Sequence, residues 1–189
     1  MNILEIFTKS LFLIITFNKD LWEIIILSLY VSFVALIIAS IAGILSGYFL
    51  ALKNIFFKNI ILVILNSLMG IPPVVVGLIV YFLFASGGPL GIMQLLYTPT
   101  AMIIAQIIII FPIVASISHE IFAKIWIDYK DQFRSLNMPF FGTARILIKH
   151  SYFLIVTALL SAYGRAISEV GAVMIVGGNI DHYTRVMTT

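Results

Sequence analysis

The sequence predicts an all-α integral membrane protein, and three observations carry that prediction. The composition is 62% apolar and only 10% charged, against about 45–50% apolar and about 25% charged in a soluble domain. Mean hydropathy is +1.16, so a water-facing fold of 189 residues would have too little polar surface to cover itself. Uncharged runs of span length also recur: no Asp, Glu, Lys or Arg occurs in residues 24–52, or again in 59–118. One crossing needs about 20 mainly apolar residues. The same composition excludes other classes. There is no cysteine, hence no disulfide and no thiolate metal site. A formal charge of +3 spread along the chain offers nothing for nucleic acid.

Taken in order, residues 3–17 are apolar but carry Glu5 and Lys9, and at ~1.5 Å per residue they fall short of a ~30 Å hydrocarbon core. An interfacial helix is expected there. A cleaved signal is not, because Glu5 sits where a positive segment belongs and no small-residue cleavage site follows. Residues 24–52 form the first span, ended by Lys53 and Lys58. Residues 59–118 are about two crossings long, and Ser86-Gly87-Gly88-Pro89 with Gly91 divides them into spans near 60–85 and 98–118. A charged loop occupies 119–150, and the last span covers 151–176 with Arg165 and Glu169 inside it. The expectation is four spans plus the N-terminal interfacial helix, in a single domain over 1–189.

Basic residues orient such a chain. Lys53, Lys58, Lys124, Lys130, Arg134, Arg145 and Lys149 fall in the 53–58 turn and the 119–150 loop. Lys9, Lys19 and Arg185 fall on the opposite side. The rule places the 119–150 loop in the cytoplasm and the N-terminus outside. Small residues at four-residue spacing (Ala35, Ala39, Gly43 and Gly47, then Ala158, Ala162 and Ala166) mark faces where helices approach closely in lipid.

Several polar or irregular features lie at span depth. Arg165 and Glu169 are four apart, on one helical face. A lone charge there costs at least ~2.5–3.5 kcal/mol, so the two should compensate each other, either as a pathway or gate element or as a structural pair that fixes helix rotation. Gly70-Ile71-Pro72-Pro73 interrupts a span midway. Proline lacks the amide donor and clashes with the preceding turn, and irregular backbone at this depth is tolerated only against protein or a water-filled cavity. The break fits a transport site or a packing kink; Pro112 is a weaker case. Asn66, Ser67 and Gln106 suit a pathway lining or plain interhelical hydrogen bonds. His119, His150 and His182 match no metal-site spacing and read as solvated. No nucleophile or second carboxylate accompanies the charged pair, which counts against a membrane-embedded enzyme. A structural membrane anchor needs neither a pathway nor a coupling loop.

Within the loop, Asp131, Gln132, Phe133, Arg134, Ser135, Leu136, Asn137, Met138 and Pro139 read as a short helix and its stop. Asn137 tolerates the left-handed conformation of a helix end, and Pro139 prevents continuation. Phe133 and Leu136, three apart, share an apolar face between charged flanks. That face suits docking into another protein or folding back on its own chain.

These residues together resemble the permease subunits of tungstate ABC importers, within the molybdate/sulfate/tungstate binding-protein-dependent permease group. The strongest match is Gly164-Arg165-Ala166-Ile167-Ser168-Glu169-Val170-Gly171-Ala172-Val173-Met174, continuing to Gly177-Gly178-Asn179-Ile180. Leu68-Met69-Gly70-Ile71-Pro72-Pro73, Ser86-Gly87-Gly88-Pro89 and Thr98-Pro99-Thr100-Ala101 support it. The resemblance implies a type I ABC importer transmembrane domain in the bacterial cytoplasmic membrane, working as a homodimer with two ATPase subunits and an extracytoplasmic oxyanion-binding protein. ATP and Mg are bound and hydrolysed on the ATPase, and this chain carries no cofactor and no catalytic residue. A molybdate or sulfate permease of the same group is the neighbouring alternative. It further implies that Asp131, Phe133, Arg134, Ser135, Leu136, Asn137 and Met138 form the ATPase-coupling segment, in a degenerate form of a Glu-Ala-Ala-x-x-x-Gly motif. Asn66, Pro72, Pro73, Gln106, Arg165 and Glu169 are then the pathway or gate candidates. Permeases of this group usually carry one more span after the Asn-Ile segment, so a chain short by one span is expected.

Overall fold

The computed structural model describes residues 16, 18–53 and 55–188. The interfacial helix expected at 3–17 lies outside the described residues, apart from Thr16. Every regular element among the described residues is helical: α1 (Lys19–Leu52), α2 (Lys58–Met69), α3 (Pro73–Phe84), a 3₁₀ turn (Gly91–Met93), α4 (Pro99–Ser135), α5 (Phe140–His150), α6 (Tyr152–Ile167) and α7 (Gly171–Gly177). Asn18 starts α1, its side chain accepting from the Asp20 and Leu21 amides, and Thr98 with Pro99 starts α4. Both satisfy or remove amides that a helix start leaves unpaired.

The packing is inverted relative to a water-soluble protein. α1 buries Ser32, Ala35, Ala39, Ser40, Gly43 and Gly47, while Ile26, Ile41 and Leu45 are each 60% exposed. Small residues inside and large apolar residues outside suit lipid, where close backbone approach and dispersion hold helices together. The buried face of α1 lies along α4. A β-carbon on Gly47 would come within 2.8 Å of the Ala115 carbonyl and the His119 amide, so glycine alone permits this approach. Ala162 and Ala166 of α6 complete the same core with Val31, Met102 and Ile110. Both small-residue stripes read from the sequence are therefore buried seams.

Only α1 and α4 are long and apolar enough to cross a membrane unaided among the described residues. The other two expected spans are broken. α2 and α3 bend by 102° across Gly70–Pro72, where Pro72 and Pro73 cannot donate to the turn before them. The last span, expected to run unbroken to 176, stops at Ile167 and resumes as α7. There the Ser168 hydroxyl donates to the Arg165 carbonyl at 3.0 Å, a local bond that competes with the helical ladder.

The 119–150 region also departs from the expected loop: α4 runs through it to Ser135 without interruption. Asp131, Phe133, Arg134 and Ser135 are thus the last turns of a long helix rather than a separate short one. The stop itself is as the residues predict. Asn137 takes a left-handed φ of 46°, and the Met138 amide donates to the Phe133 carbonyl at 3.1 Å, closing the helix end. Pro139 then opens α5, and α6 turns from α5 by 76°.

Opposite the basic end, residues 178–188 fold over the bundle. The Met187 amide donates to Ser28 Oγ at 2.7 Å, and His182 Nδ1 lies 3.0 Å from Glu23 Oε2.

Candidate functional site

The two backbone breaks meet. A β-carbon on Gly77 of α3 would sit 2.7 Å from Ala172 Cα of α7, and one on Gly171 would strike the Val74 side chain. Each glycine is where the other half-helix passes. Val76, Val80 and Phe84 of α3 then share a core with Ala172 and Val176 of α7 and with Ala101, Ala105 and Ile109 of α4. Pro72 and Pro73 are thereby placed beside the segment that carries Glu169.

At this junction Arg165 Nε and Glu169 Oε2 lie 3.5 Å apart, with Arg165 41% and Glu169 7% exposed. The Val170 and Ala172 amides also lie near the carboxylate. Spacing of four predicts this pair, and it forms even though the helix ends between the two residues. The carboxylate is thus held inside, while the guanidinium stays in part accessible. Beside it, Gln106 Nε2 donates to the Ala166 carbonyl at 3.2 Å and to Ser32 Oγ at 3.5 Å. Gln106 Oε1 is buried without a partner, at a typical cost of ~1–3 kcal/mol. Ser28, Ser32, Gln106 and Glu169 line a cavity of about 10 Å³, on the scale of one water rather than a tetrahedral oxyanion.

Asn66 is not part of this cluster. It accepts a hydrogen bond from Ser116 on α4, ten residues along that helix from Gln106, or roughly 15 Å. His119, expected to be solvated, is half-buried in α4 with Nε2 unpartnered. No group of three metal-ligating side chains exists among the described residues.

One feature escaped the sequence reading. Thr157, Ser161, Gly164 and Ser168 are all exposed on one face of α6, with Arg165 alongside. A β-carbon on Gly164 would touch nothing within 4 Å. Their four–three–four spacing was the available signal, masked by the alanine stripe on the opposite face.

At the basic end, Phe133 and Leu136 part company. Phe133 stacks on Trp126, centroids 6.0 Å apart, and packs against the Tyr48–Phe122–Leu147 core. Leu136 is 70% exposed. They do not share an outward face, because the helix ends between them and the chain reverses. A groove of about 380 Å³ remains at the tip, lined by Trp126, Phe133, Arg134, Asn137, Met138 and Thr143.

Comparison with known proteins agrees with this architecture. Residues 39–188 match the family of binding-protein-dependent transport system inner membrane components. A tungstate uptake system permease protein of Peptoclostridium acidaminophilum is 38% identical over 99% of this chain and 82% of its own length. A protein of Haloferax volcanii named a probable anion ABC transporter permease is 38% identical over 86% of this chain and 72% of its own. A second tungstate uptake system permease protein, from Campylobacter jejuni, is 32% identical over 97% and 77%.

Proposed function

The chain belongs to the binding-protein-dependent transport system inner membrane components, and from that premise we propose that it is the permease of a tungstate importer, two copies enclosing the path. As a member it is a multi-pass membrane transport subunit and not an enzyme; ATP is spent by a partner ATPase, and substrate arrives on a binding protein. Tungstate is favoured by the two relatives named for it. Molybdate or sulfate remains the neighbouring reading.

The single observation that carries the proposal is the exposed face of α6. Thr157, Ser161, Gly164 and Ser168 form a small, polar strip on a helix that otherwise presents Phe153 and Leu160 to its surroundings. Thr157, Ser161 and Ser168 each donate to a backbone carbonyl one turn back, and with the exposed Gly164 they leave a small-residue face suited to the close approach of a second helix. A second copy facing it would line a wet passage with Arg165 at its edge, a cation suited to an anionic substrate. The break between α6 and α7 begins at Ser168, at the end of this strip, and half-helices that end at mid-depth are where many transporters form their binding sites.

α4 supplies the mechanical link. At ~1.5 Å per residue its 37 residues form a rod of about 55 Å, reaching from the basic tip to the packed half-helices α3 and α7. On this reading the tip, Asp131 to Met138, is cytoplasmic and engages the ATPase through the groove beside Leu136. ATPase closure moves the tip, α4 carries the displacement, and the α3–α7 junction changes between inward-open and outward-open packings. Alternating access follows without any chemistry in this chain.

The test is uptake of tungstate, molybdate and sulfate by proteoliposomes holding this chain, its ATPase and its binding protein. Tungstate uptake that requires ATP and the binding protein supports the reading; uptake of none of the three refutes it. Arg165→Ala should lower uptake at least ~tenfold while leaving ATPase co-purification intact.

A further inference from the structure

α5 carries a surface that the transport cycle does not use. Its buried side, Thr143 and Leu147, faces the protein. The opposite side presents Phe141, Arg145 and Ile148 at spacings of four and three, so all three share one face. Phe141 is 83% exposed, and so is Phe153 at the start of α6. Between the helices lies an open groove of about 770 Å³, walled by apolar side chains and by Arg145, Lys149 and His150.

Three properties identify the occupant. The 76° turn between α5 and α6 lays α5 across the direction of the span that follows it, the placement of a helix at the membrane surface. The cations Arg145 and Lys149 line the groove, and no Asp or Glu does. Neither Arg145 nor Lys149 forms an ion pair among the described residues. His150 is held in place by an edge contact with Tyr129, centroids 5.7 Å apart. Cations at the mouth of an apolar trough match one class of molecule, an anionic head attached to acyl chains.

We propose that the α5–α6 corner binds an anionic phospholipid, its phosphate held by Arg145 and Lys149 and its chains lying on Phe141, Ile148 and Phe153. The site lies on the face of α5 opposite the tip groove and needs only that the chain be embedded in a membrane. It would therefore survive failure of the transport reading. Bound lipid would brace the joint between the tip and α6, making transport depend on bilayer charge.

The experiment is native mass spectrometry of the full chain in detergent, titrated with phosphatidylglycerol or phosphatidylcholine. Wild-type protein should retain phosphatidylglycerol at least tenfold more strongly. Arg145→Gln/Lys149→Gln should abolish that preference, two surface cations being worth about that factor or more. Arg145→Lys/Lys149→Arg should keep it, and Lys53→Gln/Lys58→Gln should leave it unchanged. Equal binding of both lipids, an unaltered preference in the glutamine variant, or displacement of the lipid by millimolar inorganic phosphate would each overturn the proposal. So would loss of ATPase co-purification with lipid binding intact in the glutamine variant, which would make the groove a protein interface.

Discussion

The α1–α4 pair and the α3–α7 pair solve the same packing problem with opposite consequences. Both approach through glycine and alanine, at Gly47 against Ala115 in one case and Gly77 against Ala172 in the other. α1 and α4, however, are continuous helices of 34 and 37 residues, although Pro112 within α4 has no amide to donate. α3 and α7 have 12 and 7 residues, and each begins at a break with a polar or charged group nearby. The first pair moves as one body, because sliding α1 past α4 would unmake a long seam. The second is short and joined to the rest through irregular backbone, so it can be repacked at small cost. On the proposed function, α1 and α4 act as the rigid unit and α3 and α7 as the part that repacks.

Substitutions can break that contrast. The largest effect is expected from Gly47→Leu, whose side chain has no room between α1 and α4. It should destabilise by roughly 3 kcal/mol or more, read as a fall in thermal midpoint in detergent. Glu169→Gln should cost less, on the order of 1–2 kcal/mol, because the half-exposed Arg165 recovers some solvation. The combined Arg165→Gln/Glu169→Gln change should be milder than Glu169→Gln alone; equal damage from both would argue against their pairing. At the tip, Phe133→Ala should lose about 1 kcal/mol of packing. Leu136→Ala should shift stability by less than ~0.5 kcal/mol yet weaken ATPase co-purification, separating a supporting residue from a contacting one.

The smallest effect concerns the strap at 178–188. The hydrogen bond to Glu23, with Asp181 nearby, raises the His182 pKa above 6.5. A raised folded-state value means that the contact stabilises fully below the unfolded pKa and is lost as pH rises through the folded one. His182→Ala should therefore lower the thermal midpoint at pH 5.5 and leave it unchanged at pH 9.

Much of this was legible in the sequence because lipid leaves few choices. Charge-free runs locate helices, small-residue spacing locates seams, and Pro72-Pro73 locates a break. Asn137 predicts the end of α4 through its tolerance of positive φ. Three things were hidden. The break at Ser168–Val170 has no proline to announce it and depends on Ser168 and the buried Glu169. Charged residues beyond 118 suggested a loop, although Glu, Lys and Ala in that stretch favour continued helix. The parting of Phe133 from Leu136 depends on Phe133 packing against Tyr48 of α1 and Leu147 of α5, tertiary contacts that no local pattern encodes.

The most direct test uses the absence of native cysteine. Single substitutions Ser161→Cys, on the polar face of α6, and Ile41→Cys, on the lipid-facing side of α1, are labelled in membranes with a charged thiol reagent, with and without ATP on the partner ATPase. The account predicts that Ser161→Cys reacts, at a rate that ATP changes at least severalfold, while Ile41→Cys stays inert in both conditions. Labelling at Ile41→Cys as fast as at Ser161→Cys, or a Ser161→Cys rate indifferent to ATP, would contradict it.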